Sequence, residues 1–273
     1  MLHEGLSEPL RRRAIKTLGA LALGAAQILF SAPAFAQAVH FPTSRFEWSG
    51  RTYLSTPAEA RAPISSDRVF LAFTLEDVRA LRSSIGRPAF EKDLVALRTS
   101  GVRPWLLIGE PNFHDPAHLA DLYWILDSAR VGLFEGVALN VERQKGVTLD
   151  VWSERFMAVL KHLAGSPNRK LAIVVHHDDA IALERRGAFA LLDEVILMAF
   201  TTAPGAAKWV GQSFMVRNPD TRFSLAQSLE TGLPPENSWL TLTGDEASAR
   251  QAMMQALIGL EAHHNFVEIV IQP

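Results

Sequence analysis

The stretch Phe134-Glu135-Gly136-Val137-Ala138-Leu139-Asn140-Val141-Glu142 decides the fold. Side chains alternate faces along a strand. One face therefore carries Val137, Leu139 and Val141, while the other runs Ala138, Asn140, Glu142 and grows more polar toward its C-terminal end. The stretch Arg222–Glu230 repeats the pattern: Phe223, Leu225 and Leu229 share one face, and Ser224, Ala226, Ser228 and Glu230 the other. Strands buried on both sides of an open parallel sheet read as continuous apolar runs. Small residues that end in a carboxylate instead suit the crowded interior and open mouth of a barrel.

Working outward, apolar runs alternate with helical patterns. Strands are predicted at Arg68–Phe73, Val102–Gly109, Glu135–Glu142, Leu171–His177, Glu194–Thr201, Arg222–Glu230 and Phe266–Ile271. Arg45–Leu54 supplies an irregular eighth, placed first. Thr74-x-x-Asp77 and Thr243-x-x-Glu246 read as helix caps, and Leu94, Leu97 and Leu160, Leu163 recur at helical spacing. This alternation indicates an α/β chain folded as a single (β/α)8 barrel. An open doubly wound sheet is the alternative; it is disfavoured because no Gly-rich phosphate loop follows any strand.

The N-terminal 36 residues read as an export signal of the twin-arginine type: Arg11, Arg12 and Arg13, an apolar run from Leu18 to Phe30, and a small-residue cleavage site at Ala34-Phe35-Ala36. That run, about 13 residues, is too short to span a bilayer. The expectation is a periplasmic or secreted protein with residues 37–67 as an N-terminal segment and 68–273 as barrel body. No later apolar run is long enough to cross a membrane, so no integral membrane segment is expected after cleavage. The chain of 273 residues has a formal net charge of −2 and no cysteine. Thiol catalysis and thiolate metal sites are excluded, and nucleic acid is not an expected partner because no basic tract follows the signal.

With strands counted from the C-terminus, Glu142 ends the fourth and Glu230 the seventh. Barrel active sites sit at the C-terminal strand ends, and glycosidic cleavage needs two carboxyl groups flanking the bond. This arrangement resembles the large clan of retaining glycoside hydrolases with catalytic glutamates on strands four and seven. The resemblance implies that Glu142 is the acid/base and Glu230 the nucleophile, with a carbohydrate as substrate or ligand. The chain also resembles exported bacterial barrel proteins classed as glycoside-hydrolase-like, through Ser100–Pro111 (SGVRPWLLIGEP), the Phe134–Glu142 strand, Met198-Ala199-Phe200 and Glu230-Thr231.

The motifs depart from pattern in several places. Glu135, Ala138 and Asn140 stand where the chitinase-type row carries aspartates, Phe200 stands where a tyrosine is expected, and the chain ends in Gln272-Pro273 without an aromatic. These departures keep open a non-catalytic carbohydrate-binding or polysaccharide-assembly protein on the same scaffold. Asn140, Glu110, His176 and Phe113 are expected to line the sugar site. Neighbouring strand residues point opposite ways, so His176 and His177 do not both face one ion, and neither a metal site nor a cofactor is expected. Trp105 and Trp152 are read as core, and His263-His264 as structural residues at the opposite end of the barrel.

Overall fold

A computed structural model describes residues 41–56, 68–109, 134–140, 142–164 and 170–273. Eight parallel strands follow one another in chain order: β1 (Thr43–Glu47), β2 (Arg68–Phe73), β3 (Arg103–Ile108), β4 (Gly136–Asn140), β5 (Lys170–His176), β6 (Glu194–Met198), β7 (Phe223–Ser228) and β8 (Phe266–Gln272). The sheet closes where Thr43, Ser44 and Arg45 pair with Ile269, Val270 and Ile271. The expected closed barrel is the observed one, and all eight strands lie in the compact unit Val39–Pro273.

The irregular first strand is shorter than the stretch Arg45–Leu54 read from the sequence. It stops at Glu47, and Gly50–Ser55 turns into a helix. Gly50 permits the sharp change of direction, because a Cβ there would lie 2.8 Å from the Ala72 carbonyl oxygen. The Thr74–Asp77 capping box forms as read: the Thr74 hydroxyl accepts from the Asp77 backbone N–H at 3.1 Å, and the Asp77 carboxylate accepts from the Thr74 N–H at 3.0 Å. Thr243 does not cap the helix Glu246–Leu257. Asp245 does, accepting from the Ser248 N–H at 2.9 Å, because Thr243 is already the last residue of the short helix Trp239–Thr243.

The period of two along each strand divides the core into two clusters. Outward residues such as Val137, Leu139, Ile173 and Leu197 pack with Trp152, Phe156 and Leu160 of the surrounding helices. Inward residues, among them Phe46, Phe70, Trp105, Ala138, Ala172 and Val174, fill the barrel. Trp105 needs Gly136 opposite it, since a Cβ at Gly136 would meet its ring at 2.6 Å. The glycine of the Phe-x-Gly pattern is thus the space occupied by an indole.

The N-terminal end of the barrel is closed by charge. Arg68, buried, donates from both terminal nitrogens to Glu194 at 2.6 and 2.7 Å and from Nε to Glu268 at 2.8 Å. Ser224 donates to Glu194 at 2.6 Å, and Ser44 donates to Glu268. Five strands meet at one guanidinium. Its cationic form is reinforced because the two carboxylates outweigh the cost of burial. Burial raises the Glu268 carboxyl above the usual carboxylate range; Arg68 and Ser44 oppose this, and Glu194 adds to it.

Removing the cation strands two buried carboxylates, so Arg68→Met is expected to cost about 3–5 kcal/mol in chemical denaturation. Glu268 carries the second expectation. A carboxyl whose folded pKa is raised contributes stability below its unfolded pKa and loses it as pH rises through the folded value. The Glu268→Gln variant should therefore gain stability relative to wild type as pH climbs above the ordinary carboxylate range. Melting curves of both proteins across that range check this, and a pH-independent difference would contradict it.

Candidate functional site

The C-terminal strand ends form the mouth, and the inward rows carry their polar residues there. Asn140 is the last residue of β4, with only 8% of its surface exposed. Its Oδ1 has no hydrogen-bond partner among the described residues. A buried amide oxygen left unpaired costs about 1–3 kcal/mol.

Glu230 lies two residues past β7 and is half-buried. Its Oε2 accepts from Gln272 Nε2 at 2.5 Å, and its backbone N–H donates to Ser228 Oγ at 3.0 Å. The neighbouring outward position anchors this loop: Gln227 donates to the Ala199 carbonyl at 2.7 Å and accepts from Trp239 Nε1 at 2.9 Å. The carboxylate is therefore held at the mouth by a partner on β8. Gln272, read from sequence only as a missing aromatic, is that partner.

Glu142 stands differently. The strand ends at Asn140, so Glu142 follows it in an exposed loop instead of terminating the strand as read from the sequence. No hydrogen bond among the described residues joins it to Glu230. The adjacent Arg143 turns toward Asp179 at 3.6 Å and donates to the Val147 carbonyl at 3.0 Å.

His176 ends β5 exposed and meets Phe200 edge to face, with ring centroids 6.2 Å apart. The two line a pocket of about 270 Å³ with His177, Thr201, Leu233 and Asn237, among others. Neither glutamate nor Asn140 lines it. His177 already belongs to the helix His177–Arg185, whose first turn carries Asp178 and Asp179. Among the described residues no cluster of three His, Asp or Glu could hold a metal ion. Glu110 and Phe113 lie outside the described residues.

Trp48, which periodicity does not single out, also stands at the mouth. It follows β1 in phase with the inward Ser44 and Phe46, and its ring packs on Phe46 at 5.3 Å while 45% of the residue is exposed.

The chain matches no protein-family model and no curated protein. Among solved structures it is similar to a GH18 chitinase from Pseudoalteromonas aurantia, at 11% identity over 85% of this chain and 93% of that one, with a TM-score of 0.60. It is also similar to the Bacillus cereus spore cortex-lytic enzyme SleL, at 12% identity over 85% of this chain and 70% of that one, with a TM-score of 0.53. At such identities the likeness is one of fold.

If the Asn140 amide is kept for a ligand, Asn140→Leu should leave stability unchanged or raise it, since the unpaired oxygen disappears. A thermal melt checks this, and a loss of more than about 2 kcal/mol would reveal a structural role instead. In architecture the chain is a single closed (β/α)8 barrel.

Proposed function

We propose that this barrel is an exported carbohydrate-active protein that cleaves an envelope or extracellular polysaccharide by a two-glutamate retaining mechanism. The observation that carries the reading is Glu230, a half-buried carboxylate held at the mouth by Gln272, in the same inward-facing set as Asn140, whose amide oxygen has no partner among the described residues. In this reading Glu142 protonates the departing glycosidic oxygen while Glu230 attacks the anomeric carbon. Water, deprotonated by Glu142, then releases the sugar from Glu230. Asn140, Glu110, His176 and Phe113 are proposed to contact the sugar chain.

Export rests on the twin-arginine-type N-terminus, residues 1–36, ahead of the N-terminal segment 37–67 and the barrel body 68–273. No helix among the described residues is long and apolar enough to cross a membrane.

A second reading, a non-catalytic glycan-binding or polysaccharide-assembly protein, draws on a specific observation. Glu142 lies exposed beyond the end of β4, and the pocket beside His176 includes neither glutamate.

Hydrolysis of a panel of neutral polysaccharides by wild type, Glu142→Gln and Glu230→Gln separates the two. Retaining chemistry predicts that each substitution lowers the rate roughly 100- to 10,000-fold while glycan binding persists. Activity unchanged in both variants would remove the site assignment. Binding without any cleavage by wild type would leave the second reading.

A further inference from the structure

We propose that the outward face of Trp48 is a stacking platform for a neutral pyranose ring, forming one wall of a glycan subsite with Gln272, Glu230 and Asn140. This inference rests on the carbohydrate reading above and deepens it by naming the sugar class and the residue that grips it.

The platform is the top of a column that starts at the buried cluster. The Arg68 guanidinium lies 4.7 Å from the Phe70 ring centre and 5.1 Å from that of Trp105. Phe70 and Trp105 pack at 5.6 Å, Phe46 and Phe70 at 5.5 Å, and Trp48 rests on Phe46 at 5.3 Å with an interplanar angle of 32°. The three rings below Trp48 are fully buried. One side of the Trp48 indole is therefore fixed by packing, while 45% of the residue faces solvent. A large apolar surface left in water forfeits the free energy of its burial. A preorganised platform also loses little side-chain entropy when a ligand settles on it.

Register sets what surrounds the platform. Arg45 pairs with Ile271, so Phe46 stands beside Gln272 and Trp48 rises one inward step above it on the same seam. Gln272 in turn holds Glu230. On β4, the Asn140 side chain is more than nine-tenths buried, and its Oδ1 has no hydrogen-bond partner among the described residues.

A flat apolar face flanked by hydrogen-bonding groups fits a ligand with an apolar flat side and polar edges. A pyranose with equatorial hydroxyls has that form: axial C–H groups cover one face, and hydroxyls radiate from the rim. Glu230 adds a sign preference, because a sugar carboxylate beside it would place two like charges together in a partly desolvated site.

The test measures binding of three probes by calorimetry: tetramers of β-1,4-linked glucose, of β-1,4-linked N-acetylglucosamine and of galacturonic acid. Wild type, Trp48→Phe and Trp48→Leu are compared, with melting temperatures recorded for each. The expected result is that wild type binds a neutral tetramer and Trp48→Phe stays within about threefold of it. Trp48→Leu, which keeps apolar bulk on Phe46 but has no ring face, should weaken roughly tenfold. Should Trp48→Leu fail to fold, tryptophan emission decides. A ligand-induced blue shift should occur in wild type and vanish in Trp48→Phe, and its persistence would overturn the platform.

Equal binding by wild type and Trp48→Leu, or equal weakening in both variants, overturns the platform and leaves the carbohydrate reading standing. Binding of the galacturonate tetramer as tightly as the neutral ones overturns the neutral-sugar assignment. Failure of wild type to bind any tetramer removes platform and carbohydrate reading together.

Discussion

One guanidinium organises the barrel. Arg68 begins β2, yet its donors reach Glu194 on β6 and Glu268 on β8, and those carboxylates are bonded in turn by Ser224 on β7 and Ser44 on β1. Burying three charges is expensive, and a tightly packed apolar layer of similar volume could hold the end shut as well or better. A charged layer supplies direction: bidentate pairing to Glu194 and a separate bond to Glu268 tie β2 to β6 and β8 with a defined geometry. The same guanidinium lies against Phe70 and Trp105, so the polar floor and the aromatic filling are a single packed unit.

That unit separates the two ends of the molecule. Below, burial and charge pairing determine stability. Above, Ala138 and Ala226 fill the barrel with Val174, Ile196, Met198 and Val270, and the inward rows of strands four, seven and eight end in polar groups: Asn140, Ser228, Glu230 and Gln272. Small residues stand midway along strands four, five and seven, while the aromatic column occupies the side built from strands one to three. The mouth is asymmetric as a result, with an indole on one side and an amide and a carboxylate elsewhere around the rim. Asn140 carries a cost, since its oxygen, without a partner among the described residues, lies in the kind of position where a protein selected for stability alone would place an alkyl group.

The fold was legible where alternation is strict. Ala138 and Asn140 against Val137 and Leu139, and Ser224 to Glu230 against Phe223 to Leu229, distinguish an inside from an outside without any structure. The first strand was obscured because it is five residues long and runs into a helix at Gly50. The charged floor was not legible at all: Arg68 and Glu268 are 200 residues apart, and a charge near the start of a strand reads as solvent-facing until closure brings it indoors. Within the site, the phase of Glu230 could be read, but its partner Gln272 depends on the pairing of β7 with β8. Glu142 continues the alternation of β4 in the sequence, and nothing in its own residue type announces that it lies in a loop beyond Asn140.

The central claim is that a glycan lies in this mouth between the β4 and β7 ends. A crystal structure of the Glu142→Gln variant with a neutral β-linked oligosaccharide tests it most directly. The account predicts a sugar ring between residue 142 and Glu230, with the two side-chain termini drawn to about 5–5.5 Å across the scissile bond. Density for the sugar only in the His176–Phe200 pocket, or residue 142 and Glu230 on separate faces with the oligosaccharide bound, would contradict it.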